Sequence, residues 1–179
     1  AKIASKDNPQ TVIAVLEQRW QQAPQPTSLA ADAAWIALED IRDPGNLGTI
    51  IRTADAAGAS GVILVGETTD PFALETVRAT MGSVFAVPLY RADEPKFVEF
   101  RKKFGGMAVG THLKGSVDYR TVEYSGKPML LVMGNEQSGL TEPLANICDR
   151  LIRIPQEGKA DSLNLAVATG IALYETRRH

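Results

Sequence analysis

The chain of 179 residues holds one cysteine, Cys148, and two histidines, His112 and His179. A single thiol can build neither a disulfide framework nor a thiolate metal cluster, and two histidines leave little for a His-based metal site. A reducing, cytoplasmic setting and no bound metal are the resulting expectations. Long apolar runs are missing as well: none approaches the ~20 residues of a membrane span, and no basic-then-apolar leader opens the chain. Membrane and secreted classes are therefore not expected. Positive charge is not in excess, with 19 Lys+Arg against 21 Asp+Glu and a formal net charge of −2. That balance argues against a protein coated in basic residues for nucleic acid, although it allows a local basic patch.

Familiar nucleotide and nucleophile signatures are absent too. No G-x-G-x-x-G follows an apolar run. Gly134 and Gly139 have the spacing of a phosphate loop, but Leu140-Thr141 stands where Lys-Ser/Thr is required. There is no G-x-S-x-G elbow. Cys148 and a distant His112 make a weak pair for covalent catalysis, and Cys148 reads as a small core residue on a helix.

What is present is enough apolar residue, 44% of the chain, for one self-sufficient domain. Thr11–Leu16, TVIAVL, reads as a strand closing an earlier unit, and Gln21–Ser28, with two prolines, reads as a linker. Beyond it, strand candidates at Trp35–Leu38, Val62–Val65, Val84–Leu89, Met107–Leu113, Met129–Met133 and Leu151–Ile154 alternate with helix candidates. The helices are expected at Leu47–Ala57, Pro71–Thr80, Pro95–Phe104, Glu142–Cys148 and Leu163–Arg177. Short, nearly unbroken apolar strands separated by helices predict an α/β domain with a mostly parallel sheet covered on both faces.

Three strand-to-helix transitions carry more polar residues than folding alone asks for. In Asp43-Pro-Gly-Asn-Leu-Gly-Thr-Ile-Ile-Arg52, Asn46 is placed to cap a helix whose apolar stripe is Leu47, Ile50, Ile51, Ala54 and Gly58. Gly48 falls beside Arg52, away from that stripe; a glycine in a first turn weakens the helix, and this suggests close approach by a ligand. An ordinary Arg52–Asp55 surface pair is the alternative. In Met129–Leu140 a buried strand runs into the polar turn Gly134-Asn135-Glu136-Gln-Ser-Gly139, where ligands of open α/β sheets collect. In Ile154–Ala166 another strand ends in a glycine-bearing loop, and a helix is expected to begin at an Asp161 or Ser162 cap. Leu163, Val167, Gly170, Ile171 and Tyr174 form its stripe, and Ala166, Ala168 and Ala172 keep its surface thin.

Together, N-x-G-x-x-x-R-x-A at Asn46–Ala54, G-N-E-x-x-G-L at Gly134–Leu140 and I-P…S-L-N-L-A-V-A at Ile154–Ala168 resemble the SpoU/TrmH family of RNA ribose methyltransferases. The resemblance spans Trp35 to Glu175. It implies a SPOUT-type α/β domain whose C-terminal segment is threaded into a trefoil knot, a homodimer, and S-adenosylmethionine as methyl donor. It further implies methyl transfer to a ribose 2′-hydroxyl, with ribosomal RNA ahead of transfer RNA as substrate. A non-catalytic RNA-binding or assembly protein of the same fold is the alternative. In such proteins a small RNA-binding domain often comes first, so residues 1–20 are expected to be its tail, 21–30 a linker and 31–179 the catalytic domain. Gly45 stands where a histidine is frequent in the family, and Lys159-Ala-Asp161 is more polar than usual.

By the same resemblance Arg52, Asn46, Glu136, Ser162 and Asn164 are the catalytic set. The family gives the proton-accepting role to the motif arginine, but a guanidinium stays protonated, so Arg52 is better read as stabilising the developing alkoxide and gripping a phosphate. Asn46, Glu136, Ser162 and Asn164 are then expected to orient it. Thr111, Met133, Gly134, Asn135, Ile154 and Leu163 are expected around the cofactor, and Arg42, Arg78 and Arg52 on RNA phosphates.

Overall fold

The computed structural model describes residues 14–22, 29–112, 116–124 and 126–178. Strand β1 (Ala34–Glu39) leads through helix α1 (Pro44–Ala56) to β2 (Gly61–Val65). Helix α2 (Leu74–Ala79) and a 3-10 turn at Ser83–Phe85 precede β3 (Leu89–Ala92), and α3 (Glu94–Lys103) returns to β4 (Met107–Thr111). Then come the two-residue β5 (Val117–Asp118), β6 (Met129–Met133), α4 (Glu142–Asn146), β7 (Arg150–Arg153) and α5 (Leu165–Thr176). All pairings are parallel, in the order β3-β2-β1-β6-β4-β7-β5.

Sequence explains this order of burial. AWIALE, GVILV and MLLVM are buried along their whole length, as strands covered on both faces must be. Successive side chains point to opposite faces: Ala34, Ile36 and Leu38 join one core with α1 and α5, while Trp35 and Ala37 join another with Phe97 of α3 and Leu144 of α4. The edge strands β3 and β5, and β7 next to an edge, carry the exposed residues. Because β1, β6, β4 and β7 are neighbours, the segments leaving their carboxyl ends lie side by side. Strand β7 sits between β4 and β5, and Thr111 and Val117 both pair with Ile152, so the chain crosses β7 between those two residues.

Several expectations need correction. Val84–Leu89 is not a strand; Val84 and Val87, three apart, pack inward while Phe85 is exposed, and β3 starts only after Pro88. Ala14–Leu16 has no regular structure, with Val15 94% exposed, because no strand lies beside it; Thr11–Ile13 fall outside the described residues. Most of the expected linker, Ala23–Ser28, is likewise outside them, but Gln21 N donates to Leu89 O and Trp20 packs edge-on against Phe72. Asp43, not Asn46, caps α1: its carboxylate accepts from Asn46 N, and Pro44 takes the first turn, where a missing N–H is harmless. Asn164, not Asp161 or Ser162, caps α5, through Ala166 N and Val167 N. That helix also faces the other way, burying Ala166, Thr169, Ala172, Leu173 and Thr176 and leaving Val167 and Tyr174 outside.

Gly48 likewise serves packing rather than a ligand. A Cβ there would lie 2.5 Å from Ala79 Cβ and 2.6 Å from Thr76 O, so its missing side chain is what lets α1 and α2 touch. Gly48→Ala gains about 1 kcal/mol of helix propensity but must force the helices apart, an overpacking cost of about 1–3 kcal/mol or more where backbone is struck. A net loss of about 1–2 kcal/mol is expected, read as a lower urea midpoint at unchanged slope. Gly170→Ala is the control: its Cβ would meet Thr53 Cγ2 at an ordinary 3.5 Å, and stability should hold or rise.

Candidate active site

The segment after β6 folds back on itself before α4. Gly134 is buried, and Asn135 and Gly139 exchange backbone hydrogen bonds at 3.1 and 2.9 Å, closing a tight ring. Gly139 turns it with φ +70°, and Asn135 Oδ1 accepts from Gln137 N at 2.9 Å. A Cβ on Gly134 would stand 2.1 Å from Gly139 C and Leu140 N, so only glycine fits.

This loop is tied at three points to the end of β1. Glu39, 4% exposed, accepts from Thr141 N at 2.9 Å and Thr141 Oγ1 at 2.6 Å. Asn135 Nδ2 donates to Asp40 O at 2.7 Å. Glu136 accepts from Arg42 N, Asp43 N and Asn46 Nδ2 at 3.3–3.4 Å. Asn46 then accepts from Asn164 Nδ2 at 2.9 Å, while Asn164 Oδ1 caps α5. Both ends of the Asn46 amide are thus engaged, which fixes its orientation. Glu136, Asn46 and Asn164, 118 positions apart at the extremes, form one hydrogen-bonded chain across three segments.

Of the expected catalytic set, those three are together and two are not. Ser162 is exposed and forms no side-chain hydrogen bond among the described residues. Arg52 is exposed on α1, six positions and so about 240° round the helix from Asn46. None of Asn46, Glu136, Ser162 or Asn164 bonds its guanidinium, so the expected orientation of Arg52 by these groups is not formed within one chain. The Arg52–Asp55 pair is not formed either. Arg42 and Arg78 are exposed and in no ion pair with a described residue.

Thr111, Met133 and the residues that follow β6 and β7, Gly134, Asn135 and Ile154, lie at neighbouring strand ends because β6, β4 and β7 are adjacent, and Thr111 Oγ1 approaches Met133 Sδ at 3.6 Å. Residues 155–163 leave β7 without regular structure and, among the described residues, without a backbone hydrogen bond, ending at Leu163, which is 37% exposed. Cys148 lies against Gly110, donates to Leu144 O at 3.2 Å, and has its thiol pushed up to about 12 by burial. It is a core residue, not a nucleophile. Among the described residues no group of three or more His, Cys, Asp and Glu could hold a metal ion, and no helix is long and apolar enough to cross a membrane.

Glu39 and Asp40 were not singled out by sequence reasoning. A charged residue ending a fully apolar strand was the available signal for Glu39. Asp40 takes φ +48° and accepts from Glu67 N at 2.7 Å, a turn for which the residue type alone is a weak cue.

Comparison with known proteins places the chain. Residues 33–174 match the SpoU rRNA Methylase family. The chain is 36% identical over 175 residues to a 23S rRNA (guanosine(2553)-2'-O)-methyltransferase of Bacillus subtilis, covering 98% of this chain and 68% of that protein. It is 35% identical over 176 residues to a 23S rRNA (uridine(2479)-2'-O)-methyltransferase of Streptomyces viridochromogenes, covering 95% and 61%. The solved structure of an AdoMet-bound rRNA methyltransferase from Sinorhizobium meliloti superposes with a TM-score of 0.86 at 61% identity, covering 91% of this chain and 62% of that one. The chain thus spans about two thirds of the length of these relatives.

Proposed function

This chain belongs to the SpoU rRNA methylase family, and from that premise we propose that it transfers a methyl group from S-adenosylmethionine to a ribose 2′-hydroxyl of RNA, with ribosomal RNA as substrate. The observation that carries this is the Glu136–Asn46–Asn164 chain, which joins the three family segments at the carboxyl edge of the sheet. Relatives named as ribosomal 2′-O-methyltransferases support the substrate.

The residues present fit the donor. Among the described residues the backbone of 155–163 makes no backbone hydrogen bond and so offers amide partners, and Ile154, Leu163 and Met133 are proposed as the apolar walls that an adenine requires. Gly134, Asn135 and Thr111, at the carboxyl ends of the neighbouring strands β6 and β4, are proposed to border the donor with them. When bound, the sulfonium supplies an electrophilic methyl group. Glu136, with both carboxylate oxygens accepting hydrogen bonds, positions the β1 and β6 segments rather than acting as a free base. Arg52 has no partner within the described chain and is left for groups the protein does not supply, the ribose oxygen and a neighbouring phosphate. The 2′-OH proton leaves through that phosphate or water. Titration calorimetry with S-adenosylmethionine tests this reading: one site per chain is expected, and a folded chain that binds none would overturn it in favour of the assembly role.

Homodimerisation is part of the proposal. Val167 and Tyr174, 51% and 56% exposed and two turns apart, make an uncharged strip on the outer side of α5. Helix α5 is apolar on both sides, which suits a helix covered on both. Val167→Asp should shift light scattering from dimer to monomer at micromolar concentration, and a wild-type chain already monomeric there would remove the dimer.

Residues 1–20 are proposed as the tail of an RNA-binding domain, 21–30 as linker, and the C-terminal segment as knotted through the β4–β5 crossing. Phosphate attraction supplies most non-specific RNA affinity, and a formal charge of −2 supplies little. A form of the chain that carries an RNA-binding domain ahead of Ala1 should bind RNA about tenfold or more tightly at fixed salt. Equal affinities would place recognition within these 179 residues.

A further inference from the structure

We propose that Leu74, Met81 and Phe85, with Arg78 among them, form a platform on which unpaired bases of the substrate RNA stack beside Arg52; this rests on the RNA-methylation reading above. The three side chains are 65%, 74% and 70% exposed, a concentration of uncovered apolar surface within one short stretch. Leu74 and Arg78 are four apart and share the outer face of α2, while Thr76, Thr80 and Ser83 turn inward and are buried. Two turns carry the strip onward: Met81 N donates to Arg78 O at 3.3 Å and Phe85 N to Gly82 O at 3.1 Å.

Met81 adopts φ +52°, the left-handed region that a side chain with a Cβ enters only at a conformational cost. Glycine would relieve that strain, and the methionine gains no burial in return. Strain held at an exposed apolar residue points to contact with something outside the chain. The position is also telling. Gly48 locks α1 onto Thr76 and Ala79, and the 3-10 turn Ser83–Phe85 packs on α1 as well. Arg52, one turn beyond Gly48 on the same side of α1, therefore projects along the flank that carries the strip.

Charge decides the occupant. Arg52 and Arg78 have no ion pair with a described residue, and Arg78 stands on the exposed strip itself, beside a thioether and an aromatic ring. Cations for phosphates interleaved with flat apolar faces for bases are what single-stranded RNA requires. The strip on α5, by contrast, is uncharged and suits a second protein chain.

The test measures binding of a fluorescein-labelled, mixed-sequence single-stranded RNA of about 12 nucleotides at low salt, the scale of a single-strand groove. S-adenosylmethionine affinity and light scattering are measured on the same samples. Phe85→Ala should weaken RNA binding about 5- to 150-fold, the effect of losing one stacked base. Phe85→Tyr, which keeps the ring, should bind as wild type, and donor affinity and mass should not change in either variant. RNA affinity that survives Phe85→Ala overturns the inference alone, as does dissociation of the dimer by that variant, which would make the strip a subunit interface. A wild-type chain that binds no RNA, both alone and with an RNA-binding domain joined ahead of Ala1, overturns the RNA reading and the inference with it.

Discussion

Arg52→Ala is expected to lower methyl transfer by at least about a hundredfold, the usual effect of removing one donor aimed at a developing oxyanion. Affinity for S-adenosylmethionine should stay within about twofold, because the guanidinium makes no hydrogen bond or ion pair with the described segments proposed to hold the donor and acts in the transition state. The side chain is solvent-exposed and unpaired, so its loss leaves no buried group unsatisfied, and the variant should melt with wild type. Arg52→Lys should recover little, since an ammonium cannot present a planar fork to ribose oxygen and phosphate together. Single-turnover rates beside donor titrations separate the effects. Wild-type turnover by the lysine variant would remove Arg52 from the reaction.

Gly134→Ala should fail differently, by losing the donor. Its Cβ would stand 2.1 Å from Gly139 C and Leu140 N and 2.3 Å from Gly139 O, all backbone, so no side chain can swing aside. The Asn135–Gly139 pair must open, and Glu136 and Thr141, tied to Asp43 and Glu39 on either side of it, must shift with it. Overpacking of this kind costs about 1–3 kcal/mol and occasionally more. Stability should fall by about 2–3 kcal/mol, and donor affinity by at least about tenfold in the fraction that remains folded. Calorimetry at a temperature where both proteins are folded makes the comparison; equal affinity in the two would separate the β6 loop from the donor site.

The two glycines show how far residue types alone can be read. Gly134 lies where a buried strand meets a polar turn, and that neighbourhood was legible, whereas the backbone of Gly139 and Leu140 that excludes a side chain there was not. Gly48 was legible as a costly residue in a first turn, but its neighbour is α2, and a contact between separate segments leaves no trace in local spacing. The central strands were readable because parallel strands buried on both faces are unbroken apolar runs. Helix α5 was readable as a helix but not by face, since apolar residues surround it and the inner side is lined by small ones. Val84–Leu89 misled for a related reason: an apolar run of six fits either a strand or a packed turn, and only the three-residue spacing of Val84 and Val87 separates them. Asn46, Glu136 and Asn164 stood out as polar residues at strand ends. Their hydrogen bonding to one another depends on the order β1-β6-β4-β7, which no short motif encodes.

The central claim is methylation at a ribose hydroxyl, and the most direct measurement is the position of the transferred group. Purified chain in excess is incubated with ribosomal RNA and S-adenosylmethionine carrying a trideuterated methyl, and the RNA is then hydrolysed in alkali. A methylated 2′-oxygen cannot attack the adjacent phosphodiester, so the label should appear in an alkali-resistant dinucleotide whose digestion releases a 2′-O-methylated nucleoside. It should be absent with Arg52→Ala. Label recovered on a base, or in alkali-sensitive mononucleotides, would contradict the account.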